Sequence, residues 1–271
     1  MSKVIREICA AGAVIDVAIR MTLRASKGCR KEKKNKTNEA VQKYNDRLSV
    51  KTLARLLNMN FFPGDHTSLT YAEIMSVEEA KHQLSLFIDR MRREYAKQGK
   101  EFYYVAVTEY KNKRIHHHVV MNYIDGSIID KQWKLGHIWL STLDRSRNYT
   151  ELAEYLVKET QQTFREPENS TKRRWTASRN LKRPIVKREY VSIAKLFDEP
   201  KAFKGYQLDK DSVRKFENPI TGLEHKEYQM IAIDPVPRIK TWRKGKIVNR
   251  REGYIRIEQV SFEDLVSVDT L

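Results

Sequence analysis

Residues 114–122, RIHHHVVMN, set three histidines side by side at 116, 117 and 118, in a chain with only seven. Alternate side chains of a β-strand share a face. His116 and His118 therefore point one way, and His117 points the other way with Ile115, Val119 and Met121. Two imidazoles one pleat apart can hold a divalent ion but seldom suffice, so a third ligand should lie nearby. The run EFYYVAVTEY (101–110) offers one, because the short segment KNK joins it to the histidines as a hairpin. A loop with an even number of residues pairs Glu109 with His116 and sets it diagonal to His118, within reach of one ion. A three-residue loop would turn Glu109 to the other face. A His/His/Glu set leaves coordination positions open for substrate oxygens. It suits Mn²⁺ or Mg²⁺ with a phosphate, with zinc still open. His117 is expected to pack beneath the sheet, or to bond a polar group there, and not to bind the ion.

Metal and phosphate still need a nucleophile. In LAEYLVKET (152–160), Tyr155 and Lys158 are three apart, which puts them on one face of a helix. A phenol with an ordinary pKa near 10 is a poor nucleophile, but a nearby cation and a polarised phosphate would make it effective. Two plainer readings stand beside this one. A helical tyrosine often serves packing, and Glu154 and Lys158 form an ordinary i,i+4 pair. Tyr149 lies six residues earlier without a matching lysine.

The elements that must position these residues are legible from periodicity. Residues 38–61 carry apolar residues at helical spacing. Pro63-Gly64 precedes a short strand at 67–71. Residues 76–100 read as a helix with a Ser76/Glu79 capping box, an apolar stripe from Leu84 to Tyr95, and Gly99 at its end. The strands 101–110 and 114–123, a strand at 136–142 and a helix at 148–164 follow. The order is strand, helix, strand, strand, short helix, strand, helix, the split βαβ order of a ferredoxin-like antiparallel sheet with helices on one face. The predicted class is α+β, with an N-terminal extension at 1–60, a core at 61–188 and a mixed extension at 189–271. In the extensions, 13–24 reads as a strand, 24–38 as a mobile basic loop or a solvated linker, and 227–233 and 253–260 as short strands.

These residues resemble a family. RIHHHVV is similar to the HUH motif, two histidines flanking one residue on a central strand, although the middle residue there is usually apolar. YLVK at 155–158 resembles the YxxK tyrosine motif that follows it. SLTY (68–71) resembles the first motif of rolling-circle replication initiators, VTEY supplies the acidic ligand, and RWTASRNLKRP (174–184) resembles a basic stretch in phage and mobile-element replication proteins. The likeness spans roughly 60–185, with the motifs in order. It implies a single-strand DNA endonuclease and ligase of the Rep type. In such an enzyme Tyr155, supported by Lys158, would form a 5′-phosphotyrosine beside an ion held by Glu109, His116 and His118, and free a 3′-OH to prime synthesis. DNA contacts would come from Arg173, Arg174, Trp175, Arg179, Lys182 and Arg183. Trp175 either stacks on a splayed base or packs in the core. With one YxxK tyrosine, closing the strand requires a second protomer or a second round. No GxxxxGK[ST] is present, so unwinding would fall to a host helicase or to superhelical strain.

Composition is consistent with that partner. Lys and Arg total 52 against 35 Asp and Glu, a formal charge of +17, which favours a polyanion and most often nucleic acid. Cys9 and Cys29 form no CxxC, which argues against a thiolate zinc site or a disulfide framework. The apolar stretch at 7–21 is broken by Asp16 and Arg20 and is too short to span a membrane. A cytoplasmic protein is expected. Three other readings remain: a relaxase, whose tyrosine normally precedes the histidines; a single-tyrosine transposase, normally shorter and with Gln near its tyrosine; and a non-catalytic nucleic-acid-binding regulator. Only an enzyme would leave a covalent protein–DNA adduct.

Overall fold

The structure is a computed structural model that describes residues 3–22, 38–110, 114–161 and 173–233, and the backbone of 239–243 and 246–250. All of the basic run 24–38 except its last residue, the strand expected at 253–260 and the KNK segment lie outside the described residues. The chain divides into two compact units, one of residues 1–41 with 184–271 and one of residues 42–183.

The second unit carries the motifs. It contains α1 (Glu39–Asn60) apart from its first three residues, β3 (Gly64–Thr70), α2 (Val77–Lys97), β4 (Tyr104–Glu109), β5 (His116–Asn122), α3 (Gly126–Gln132), β6 (Ile138–Thr142), α4 (Thr150–Glu159) and the two-residue β7 (Thr176–Ala177). The sheet order is β6-β3-β5-β4-β7, with every pair antiparallel. β5 thus lies between β3 and β4, which is the split βαβ arrangement. α2 begins with Ser76 Oγ accepting the Glu79 N–H at 3.1 Å and ends near Gly99, whose φ of +65° suits a helix stop.

The expectation of helices on one face needs correction. On one face Leu69, Ala106, Val119 and Met121 pack with Phe87 and Met91 of α2 and Ile129 of α3. On the other, Val105, Val107 and Val120 pack with Leu53 and Leu57 of α1 and Ala153, Leu156 and Val157 of α4. Helices therefore cover both faces, because β4 and β5 are apolar at odd and even positions alike. Gly136 lets the segment before β6 approach the end of β3. A Cβ there would lie 2.2 Å from the Thr70 carbonyl oxygen, and the close approach allows bonds from Thr70 N to His137 O and from Ala72 N to Leu135 O.

The first unit holds β1 (Lys3–Ala11), β2 (Val14–Thr22), β8 (Val186–Val191), α5 (Ala194–Phe197), β9 (Tyr206–Glu217) and β10 (Glu224–Ala232). Its antiparallel sheet runs β8-β1-β2-β10-β9. A hairpin of β11 (Ile239–Arg243) and β12 (Lys246–Arg250) follows. No described helix is long and apolar enough to cross a membrane.

Candidate active site

The β4–β5 register decides the geometry. Glu109 pairs with His116, Thr108 with His117 and Val107 with His118. Glu109 therefore shares a face with His116 and His118, the face that α4 covers. Glu109 Oε2 lies 3.1 Å from His116 Nε2. One ligand atom from each of Glu109, His116 and His118 lies within 4.8 Å of the others.

The hydrogen bonds orient these atoms. His116 Nδ1 lies 3.0 Å from the Arg114 carbonyl, which can only accept, so Nδ1 carries the proton and Nε2 presents a lone pair toward Glu109. A lone pair and a carboxylate oxygen at that separation attract each other only through a cation or a proton. His118 Nδ1 meets Ser68 Oγ at 2.9 Å and His66 Nε2 at 3.1 Å. With Nδ1–H shared between those acceptors, His118 Nε2 is also left as a lone pair. Burial, reinforced by His66 and His116, pushes the His118 pKa down to about 3, and burial pushes His66 down to about 4. Both imidazoles are therefore neutral at physiological pH, as metal binding requires. Two nitrogens and one oxygen with carbonyl and hydroxyl partners behind them fit a divalent ion.

Tyr155 enters from α4. Its Oη lies 3.4 Å from His118 Nε2, and its ring meets the His118 ring edge-on at 5.2 Å. The side chain is 41 % exposed, whereas Leu156 is 1 % exposed and anchors the helix. Lys158 is exposed one turn further along. Tyr149 differs: it is 3 % exposed, its hydroxyl donates to the Asp144 carbonyl, and its N–H donates to Asn58 Oδ1. His117 lies on the opposite face, fully buried, with Nδ1 2.8 Å from Thr108 Oγ1 and Nε2 2.8 Å from Tyr71 Oη.

Residues 66–164 match the family model of replication-associated proteins of the ORF2 type. The matched segment begins at His66 and includes Glu109, His116, His118, Tyr155 and Lys158. The match supports a replication-associated role and is consistent with a rolling-circle replication initiator. No curated protein and no solved structure matches the chain.

The expected DNA-contacting residues follow the matched segment. Arg173, Arg179, Lys182 and Arg183 are exposed. Arg174 is instead engaged by Asp46 in a largely buried ion pair. Trp175 is half-buried against the α1/α4 cluster. Sequence reasoning missed His66 and gave Ser68 no role. Their signal was alternation along 66, 68 and 70, which becomes useful only once β3 is known to pair with β5.

Proposed function

We propose that this protein nicks and rejoins single-stranded DNA at a replication origin, through a 5′-phosphotyrosine on Tyr155, to initiate and terminate rolling-circle replication. The observation that carries the reading is the 3.4 Å approach of Tyr155 Oη to His118 Nε2, which brings a helix hydroxyl to a cluster built on two strands. Glu109, His116 and His118 would hold Mn²⁺ or Mg²⁺, which supplies charge neutralisation at the phosphate oxygens. Tyr155 Oη attacks phosphorus and loses its proton to solvent, which its exposure permits. The bond from phosphorus to the 3′ oxygen breaks, and that oxygen takes up a proton. One phosphoester bond replaces another, so an incoming 3′-OH reverses the step without ATP. Lys158 favours the phenolate and neutralises charge as the phosphorane-like state develops. Unwinding is left to a host helicase or superhelical strain.

The test is incubation with single-stranded origin DNA and Mn²⁺, then denaturing electrophoresis and mass spectrometry of the adduct. Tyr155→Phe should retain folding and DNA binding and lose both nicking and joining. Lys158→Ala should slow the adduct without eliminating it, and Tyr149→Phe should leave it in place. A covalent complex in Tyr155→Phe that is absent in Tyr149→Phe would overturn the assignment.

A further inference from the structure

We propose that a cavity at the β4 edge of the sheet takes one unpaired nucleobase of the DNA strand and so sets a base preference close to the nick. This rests on the DNA-nicking reading and adds the site at which sequence would be read. The cavity measures about 360 Å³. That lies near the lower end for small-molecule sites, enough for a single nucleoside and too little for an oligonucleotide.

Its chemistry is that of a base attached to phosphate. Leu84 and Ile88 of α2 and Val107 of β4 give an apolar floor, and Tyr104, Tyr110 and Trp175 supply aromatic faces for stacking. The hydroxyls of Ser85 and Thr176 can each donate or accept toward a base edge. Lys81, Arg92 and Arg173 add cations, with Lys81 Nζ 6.0 Å from the centre of the Tyr110 ring. The acid Asp89 at the wall accepts from Arg92, and Arg174 is engaged by Asp46. An apolar peptide side chain would have no use for three cations at the mouth. A flipped base with flanking phosphates uses both.

The position also fits. The cavity wall includes Val107 and Thr108, which pair with His118 and His117. It is thus about one strand spacing, ~4.8 Å, from the strand of the metal ligands. Among the described residues β7 pairs with β4 only at Val105 and Ala106. Beyond that point the edge beside Thr108 is where a strand leaving Tyr155 can turn a base off the site face and into the cavity. Trp175 thereby acquires the role in stacking that its place among arginines suggested, with partners from α2 that lie far away in sequence.

The test keeps binding apart from chemistry. A single-stranded 10-mer is selected by the intact protein from a random pool in EDTA, then resynthesised with one abasic position at a time. One position should stand out, with binding about 5- to 150-fold weaker, the range for one stacked base. The penalty at that position should vanish in Trp175→Ala. If Trp175→Ala does not fold, Arg92→Ala on the exposed rim replaces it and should weaken the 10-mer and reduce its salt dependence by about one phosphate. Equal penalties at all positions, or the same penalty in both variants, would overturn the base pocket. Displacement of the 10-mer by deoxynucleoside monophosphates with no position dependence would also overturn it, pointing to a free-nucleotide site. Failure to enrich any DNA would overturn the DNA reading itself, whereas normal adduct formation without a special position would sink only the pocket.

Discussion

Replacing Ser68 by Ala should weaken Mn²⁺ binding only slightly, and replacing Ser68 and His66 together should weaken it severely. His118 can serve as a ligand through Nε2 only while its proton sits on Nδ1. Two acceptors hold it there, Ser68 Oγ at 2.9 Å and His66 Nε2 at 3.1 Å. His66 is an effective acceptor near neutral pH because burial holds its pKa down to about 4. Loss of a ligand's outer partner typically costs about 10- to 100-fold in metal affinity. With a second acceptor in place, each single variant, Ser68→Ala or His66→Phe, should cost only about threefold, ~0.7 kcal/mol. The double variant removes both and should reach about 100-fold, ~2.7 kcal/mol, which leaves a coupling of about 1.4 kcal/mol. Isothermal titration of Mn²⁺ at about pH 8, with circular dichroism to verify the fold, measures all four corners of the cycle. A full 100-fold loss in Ser68→Ala alone would show that His66 does not substitute. A double variant with only the summed single effects would refute the shared bond.

His116→Ala should abolish nicking without unfolding the sheet, and EDTA should do the same to the unaltered protein; EDTA-resistant nicking in the variant would remove the metal from the mechanism. DNA affinity should fall about 10³–10⁵-fold between about 50 and 200 mM salt if six to ten phosphates are contacted, as the +17 charge suggests; gel-shift titrations across that range measure the slope. Leu156→Ala should cost about 2–5 kcal/mol in urea unfolding, because Leu156 is 1 % exposed between α4 and the sheet, and a change under 1 kcal/mol would refute its anchoring role. Acid should destabilise the fold. Burial holds His66 near 4 and His117 near 3 in the folded chain, below the unfolded value of about 6.5, so their stabilisation is complete above that value. It declines by about 1.4 kcal/mol per pH unit per group as pH falls toward the folded pKa values, a slope that urea melts at pH 8, 6 and 5 would resolve.

The chemistry was more legible than the architecture around it. The Glu109–His116 pairing follows from alternation and a short hairpin, both local properties, and the long amphipathic helix 77–97 announces itself by cap and stripe. Non-local pairing leaves no comparable mark. β3 meets β5 across α2, so the roles of His66 and Ser68 appear only in three dimensions. Residues 3–11 contain Arg6 and Glu7 and look too polar for a central strand, yet Arg6 meets Glu189 while Glu7 accepts from Arg20 and Arg188. Those partners are as many as 183 positions away, and they allow a charged strand to lie between two others. The helices on the second face were missed for a related reason. Val105, Val107 and Val120 are apolar on the same side as the ligands, so that face had to be covered as well as functional.

The run of three histidines is best understood as two tasks divided by the pleat. The outer pair presents lone pairs to the cluster with Glu109. His117 ties three segments together from behind: its own strand, Thr108 on the neighbouring strand, and Tyr71 just beyond β3. Tyr71 in turn donates to the Ala80 carbonyl on α2. Thr108 directly precedes Glu109, and Tyr71 follows the strand that carries Ser68, so a bond on one face of the sheet fixes the residues that act on the other. An apolar residue at 117 would fill the space but leave the Thr108 hydroxyl without its buried partner, at a cost of about 1–3 kcal/mol. It would also release the restraint between the strands whose relative placement sets the ligand distances. The middle histidine departs from the usual motif because, in this sheet, a polar clamp supplies the rigidity that packing alone supplies elsewhere.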